Sequence, residues 1–361
     1  MPAGSSRLRT SAPASAASNA VGTLAMKDPS QTPGATRGPY SSTPASAMPD
    51  GGQIAVRSGH DGTLLGICET GYPQKTLSFD PTGTRIVSRG RDHAVHVLDA
   101  ATTRPLCEAI RQRGLAEDAW FDPTGERIVV SSSDGLASVW RLNASVAAET
   151  VLDQSKGAVQ ATFSRDGRHV IAAGPAWPGL QRWDTETGLQ LESTGTSTPA
   201  RWFEVSSDGR WMVSRHGDSS TLQVCDEVGR PQGLPFRSDT PAQIAHLTAN
   251  GDSLAILTAS RQLRWIDWRE QRDRMTPITV EGVPRLAGIL PDGRHAFVAC
   301  DDAYLRLWEI PSGKPVLPAI RLQNSPERVD VVADGRLLMT AAAVQLRFFD
   351  ASTLKEDGAP L

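Results

Sequence analysis

Asp122-Pro123-Thr124-Gly125 is followed by Arg127-Ile128-Val129-Val130-Ser131, then by Ser132-Ser133-Asp134-Gly135, then by Ala137-Ser138-Val139-Trp140-Arg141-Leu142. Ahead of the first turn, Ala119 and Phe121 alternate with Trp120 and Asp122. Short alternating runs bounded by Gly, Asp and Ser read as strands joined by tight turns. A looser stretch with Val151-Leu152 supplies a fourth strand, so about 40 residues read as one antiparallel sheet. No part of the stretch holds a helical period of useful length.

The unit repeats. Gly83, Gly125, Gly167, Gly209, Gly251, Gly293 and Gly335 stand 42 residues apart, each in a short polar turn between apolar runs. Four residues before them stand Phe79, Phe121, Phe163, Val205, Leu247, Ile289 and Val331, and two positions earlier Leu77, Ala119, Ala161, Phe203, Ala245, Ala287 and Val329. A strand apolar at i and i+2 faces a core on that side. A fixed period of this size marks a repeat architecture. A small sheet cannot hide both faces alone; stacking such sheets radially buries each against its neighbour, which is the all-β β-propeller solution.

The third strand ends Leu98-Asp99, Trp140-Arg141, Trp183-Asp184, Cys225-Asp226, Ile266-Asp267, Trp308-Glu309 and Phe349-Asp350, a degenerate Trp-Asp dipeptide. With the Ser-x-Asp-Gly turns, the chain resembles bacterial WD40-repeat proteins over residues 49–361. The resemblance implies a propeller that binds a protein or peptide, in signalling or regulation, through loops on one face. The Gly-His pair that opens repeats of that family is missing from every full repeat. The histidine–aspartate tetrad of the family is therefore absent, and packing alone is expected to hold the blades.

Residues 49–68 read as a turn and two strands, about one strand short of a repeat. Seven blades are favoured, with the N-terminal hairpin pairing onto the last blade to fasten the ring; eight blades with a degenerate first one is the alternative. Residues 1–48 are rich in Ala, Ser, Pro and Thr and are expected to form a disordered leader. The first 27 residues lack acids and loosely resemble a transit peptide, the other reading of this segment.

A net charge of −3 argues neither for nucleic acid nor for a membrane surface. Five lysines stand against 32 arginines, but the arginines are spread along the chain and balanced by 40 acids. Cys68, Cys107, Cys225 and Cys300 form no C-x-x-C pair, which fits small apolar packing in a reducing, cytoplasmic compartment better than zinc or disulfides.

The loops between second and third strands carry the candidate partner-binding residues: Arg89, Arg91 and His93; Trp177 between prolines; Arg215 and His216; Arg261; Asp301 and Tyr304. Arg91, Trp177, Arg215 and Tyr304 are the leading contacts, since an aromatic on a stiff loop beside arginines has the composition of a hot spot. For Trp177 the alternative is local packing over the rim. A second function class is an enzyme or small-ligand sensor, with His93, His216 and Asp301 converging at the mouth of the central channel. His93 and His96 lack a third ligand at metal spacing. The arginines after the turns (Arg85, Arg127, Arg168, Arg210, Arg294, Arg336) and the acids Asp80 and Asp122 are periodic and read as structural. With no P-loop, G-x-S-x-G elbow or H-E-x-x-H, neither cofactor, metal nor catalysis is expected.

Overall fold

The structure, a computed structural model, describes residues 21–23, 37–39, 45–48, 53–57, 64–71, 74–90, 92–142, 147–152, 157–191, 198–206, 209–217, 220–248, 251–290, 293–310, 312–316, 319–322, 326–331, 336–341, 345–350 and 355–356. They form eight antiparallel sheets of three to five strands and a separate two-stranded sheet that pairs Val21–Thr23 with Arg37–Pro39. We number the eight one to eight in chain order, beginning at residues 45, 74, 116, 160, 200, 242, 284 and 326. Leading strands of successive sheets lie against one another, as Pro284–Ile289 does against Ala242–Leu247 and Pro326–Val331. This is the radial stacking of a β-propeller.

The repeat spacing has a backbone cause. Six of the seven spaced glycines lie in described residues, and each has φ between 65° and 73°. That left-handed turn costs glycine nothing and other residues about 1–2 kcal/mol. In the first two turns the acid is a cap: Asp80 Oδ1 accepts from the backbone N–H of Thr84 and of Arg85, both at 2.8 Å. Asp122 does the same for Arg127 at 3.1 Å and also accepts from Arg127 Nε at 3.0 Å.

Apolar clusters fill the spaces between sheets. Between sheets five and six, Val213, Leu222 and Phe236 meet Ala245, Leu254 and Ile256. Between sheets three and four, Val129 and Val139 meet Ala161, Val170 and Trp183, whose indole is fully buried. Burying such a side chain is worth about 2–3 kcal/mol.

Two expectations are corrected. The stretch after residue 49 does not fasten the last blade: Gln53–Arg57 pairs with Ala45–Met48 and Leu64–Glu69, making a three-stranded first sheet. Partners adjacent in sequence close with less entropy than partners at the other end of the chain. The last sheet instead takes a single bridge from its own downstream residues, Phe349 to Glu356. A three-stranded first sheet of its own is the arrangement that the eight-blade alternative expects of its degenerate first blade. Most of the leader expected over residues 1–48 lies outside the described residues.

Nor does packing alone hold the blades. Gln160 of sheet four donates its amide to the Phe203 carbonyl of sheet five at 2.8 Å and accepts from the Phe203 N–H at 3.1 Å. His246 of sheet six contacts Glu204 of sheet five through Nδ1 and the Ala287 carbonyl of sheet seven through Nε2 at 2.7 Å. Arg127 of sheet three reaches the Gly167 carbonyl at 3.0 Å and Glu186 at 2.9 Å, both on sheet four.

Candidate functional site

In an antiparallel sheet, the turns joining second to third strands lie at the opposite end from those joining first to second and third to fourth. The two ends of the propeller differ in chemistry.

At the second-to-third end, His93, Arg261 and Asp301 are exposed and Tyr304 is half-buried. His93 and Arg261 have φ of 58° and 63°, at the repeat position where Gly135 has 80° and Ala303 has 62°. Asp301 accepts from the Val283 N–H at 2.9 Å. Tyr304 lies 5.3 Å from the Arg306 guanidinium, which Asp302 holds at 2.7 Å. That pairing, with the Tyr304 N–H also donating to it, keeps the Asp302 carboxyl below its usual range. Arg91 lies outside the described residues.

Three other candidates are engaged inside. Arg89 and Arg215 occupy equivalent positions of sheets two and five, and each spans to the next blade. Arg89 donates to the Ala116 carbonyl at 2.8 Å, and Arg215 to the Ala242 carbonyl at 2.9 Å. Burial lowers both pKa values, and Arg215 also lies 5.4 Å from the Trp202 ring centre. His216 is 2% exposed. Its Nδ1 faces the Thr198 carbonyl at 3.0 Å, and its Nε2 meets Ser214 Oγ at 2.8 Å. Nδ1 therefore carries the proton and Nε2 accepts from the serine. Burial pushes this imidazole below its usual pKa, against the Thr198 hydrogen bond. A buried neutral histidine with both ring nitrogens engaged, by Thr198 and Ser214, is unsuited to the ligand trio with His93 and Asp301. Trp177 takes the packing alternative: it is half-buried, with its ring centre 5.5 Å from that of Trp183.

At the other end, sheets four and five flank an open cleft of about 860 Å³. Its walls include His169 and Arg182 from sheet four and Arg210, Trp211, Val228 and Arg230 from sheet five. Asp226 also lines it, but its carboxylate is tied into its own turn, accepting from the N–H of Val228 at 3.1 Å and of Arg230 at 2.8 Å. Sequence reasoning missed this site because it grouped all post-turn arginines together. Arg85 and Arg127 pair in strand register with Asp99 and Arg141, and the residue of sheet four pairing with Asp184 is His169, not Arg168. Arg168, Arg210 and Arg294 stand one residue earlier and are exposed. In a strand, one residue is the difference between opposite faces.

Among the described residues no group of three His, Cys, Asp or Glu could hold a metal, and no helix is long and apolar enough to cross a membrane. The four cysteines are free thiols.

No protein-family profile matches the chain. It is 26% identical over 258 residues to the bovine (Bos taurus) transducin beta-like protein 3, covering 66% of this chain and 32% of that protein. The chain thus spans about a third of that relative's length. Among solved structures it is similar to the computationally designed Ika8 protein, at 15% identity and a TM-score of 0.67, covering 92% of this chain and 97% of that one. It is also similar to the dihydro-heme d1 dehydrogenase NirN, at 16% identity and a TM-score of 0.63, covering 79% of this chain and 64% of that one. These two likenesses bear on the fold alone; the bovine relative supports a WD40-type repeat.

Proposed function

We propose that this chain is a non-catalytic interaction scaffold, a WD40-like propeller of the bacterial type that docks a protein or peptide partner in signalling or regulation. We further propose that it acts in the cytoplasm, where its four thiols stay reduced. The observation that carries the docking reading is the backbone at His93 and Arg261. Both side chains are exposed on left-handed residues at the position where sheet three places Gly135. The turn itself is tied down by backbone bonds, the His93 carbonyl accepting from Gln112 and that of Arg261 from Val280, both at 2.8 Å, so neither side chain's identity is needed to hold it, which favours a contact role for the two. Exposed Asp301 and half-buried Tyr304 lie on the same end of the molecule.

Replacing His93 or Arg261 with glycine is expected to raise stability by about 0.5–1 kcal/mol each, because glycine removes the left-handed penalty but adds chain entropy in the unfolded state. Urea unfolding midpoints check this. Docking is tested with a photo-crosslinking amino acid at position 93, 261 or 301, compared with position 234 on the 76% exposed rim residue Leu234. A partner crosslinked from the three hairpin positions and not from the rim is the expected result. Crosslinks from the rim alone would remove the hairpin end as the docking face.

A further inference from the structure

The leading strands slip at one repeated place. In six of the eight described sheets the register shifts by one residue near the start of the leading strand. The residue left unpaired is Lys75, Glu117, Arg201, Gln243, Arg285 or Glu327. A bulge of this kind turns its extra side chain out of the ladder, and it is a designed feature rather than a defect. All six residues are long and polar.

The packing on either side decides where that side chain goes. Ala200, before the bulge of sheet five, shares an apolar cluster with Ile171 and Leu180 of sheet four, and Trp202, after it, shares one with Ala245 and Leu254 of sheet six. The bulge of sheet six repeats this, with Ala242 toward Val213 of sheet five and Ile244 toward Val298 of sheet seven. Both neighbouring sheets are thus taken, and the second strand pairs on the outer side. The direction that remains is the propeller axis, at the end where second strands turn into third. Arg201 and Arg285 are exposed there and Gln243 is half-buried. Neither guanidinium has a hydrogen-bond or ion-pair partner among the described residues.

We propose that sheets five, six and seven present a cationic arc at the mouth of the central channel, Arg201 and Arg285 from the bulges and Arg261 from the turn of the sheet between them, and that the arc recognises an acidic peptide segment. The inference rests on the scaffold reading above and supplies the chemistry of its partner. Arg261 is exposed on its left-handed turn. Acids on this sector are mostly engaged: Arg306 lies 2.7 Å from Asp302 and 3.6 Å from Glu281, and Asp301 accepts from the Val283 N–H, leaving Asp239 exposed. Facing sheets stand about 10 Å apart, so three guanidiniums on three sheets suit several carboxylates along an extended chain better than one compact anion. The bulge of sheet three carries Glu117 instead, which confines the arc to one side of the mouth. Nucleic acid would want a continuous basic track.

The probe is a fluorescein-labelled nonapeptide library with glutamate fixed at its second, fifth and eighth positions and mixed residues elsewhere. In a polyproline II chain that spacing puts the acids on one face, about 9 Å apart. Polarisation compares it with the same library carrying glutamine or lysine at those positions. Arg201→Glu/Arg285→Glu changes two exposed side chains, so the unfolding midpoint should hold. Each reversal removes an attraction and adds a repulsion, so binding of the glutamate library should weaken by about 10- to 100-fold. The same variant should bind the lysine library better than wild type does, a gain that unfolding cannot produce. Gln243→Arg, which extends the arc to the bulge of sheet six, should tighten glutamate-library binding by about 2- to 5-fold. Arg168→Glu/Arg230→Glu, exposed arginines at the other end of the propeller, should leave it unchanged.

The proposal is overturned if the glutamate and glutamine libraries bind alike, if Arg201→Glu/Arg285→Glu binds the glutamate library as wild type does, or if the control pair weakens binding as much. A short labelled DNA strand of mixed sequence that binds more tightly than the glutamate library, and that the double variant releases, would overturn the peptide in favour of nucleic acid. Partner crosslinks from positions 93, 261 and 301 that persist alongside any of these results would sink this inference alone and leave the scaffold reading standing.

Discussion

His246→Ala is expected to cost about 3–5 kcal/mol. Glu204 and His246 are each 3% exposed, and their contact joins the leading strands of sheets five and six. Both imidazole nitrogens face oxygens, Glu204 Oε1 on one side and the Ala287 carbonyl on the other. With Nε2 donating to the carbonyl, the Glu204 contact holds one proton, on the imidazole or on the carboxyl. Removing the imidazole takes this contact away from a buried carboxyl in the wall between blades and also frees the Ala287 carbonyl.

Two further variants make the argument specific. Glu204→Gln keeps a donor that can face Nδ1, so it should cost about 1 kcal/mol or less, the net worth of one exchanged hydrogen bond. The pair Glu204→Leu/His246→Leu should recover much of the loss, since apolar residues of similar size replace buried pairs at little cost. Urea denaturation of the four proteins, with the midpoint and slope both fitted, reads these differences. If His246→Ala unfolds at the wild-type midpoint, the pair is not a fastening between blades.

The same pair shows what was legible in the chain and what was not. The period, the strands, the turn glycines and the apolar stripe at Phe79, Phe121 and Phe163 could all be read directly, because each depends on neighbours within a few residues. Contacts between blades depend on residues a full repeat apart. Glu204 and His246 are separated by 42 residues at one repeat position, where Ser78, Trp120, Thr162 and Gly288 stand elsewhere. An acid followed one period later by a base was the available signal. It went unread because the strand was scored for one apolar face only, while a leading strand meets a neighbour on both sides.

Two of the loop candidates turned inward for a related reason. Arg89 and Arg215 close strands whose last side chains turn toward the next blade, so their guanidiniums meet carbonyls rather than solvent. Position along a hairpin could be read from sequence; side-chain direction at its end could not. The cleft at Arg182 was legible in principle, as the one charged residue in a column of Val97, Val139, Val224 and Leu307. A one-residue insertion in the Trp177 loop shifts that column, so the comparison needed the strand register.

Asp118→Asn is expected to change how stability depends on pH. Asp118 lies on the leading strand of sheet three, just past a register shift that recurs in five other sheets. It is 3% exposed. Its Oδ1 accepts from the Ala119 N–H at 3.1 Å, and Oδ2 has no hydrogen-bond partner. Burial pushes its carboxyl up to about 6, against the pull of Arg89 and the Trp120 and Ala119 hydrogen bonds, with Glu117 adding a smaller upward push. A carboxyl whose folded pKa exceeds its unfolded value of 3.8 binds its proton more tightly in the native state. Its contribution is therefore fully present below about pH 4 and is lost as pH rises through 6, by about 3 kcal/mol in all. Asparagine keeps the shape and cannot ionise. The stability difference between Asp118→Asn and wild type should therefore move in the variant's favour from pH 4.5 to 7.5, by about 2 kcal/mol. Taking the difference removes the titration of every other group common to both proteins, and any constant offset from the new amide donors drops out of the slope. Parallel stability profiles across that range would show that Asp118 is ionised in the native state throughout, with Arg89 rather than burial setting its charge.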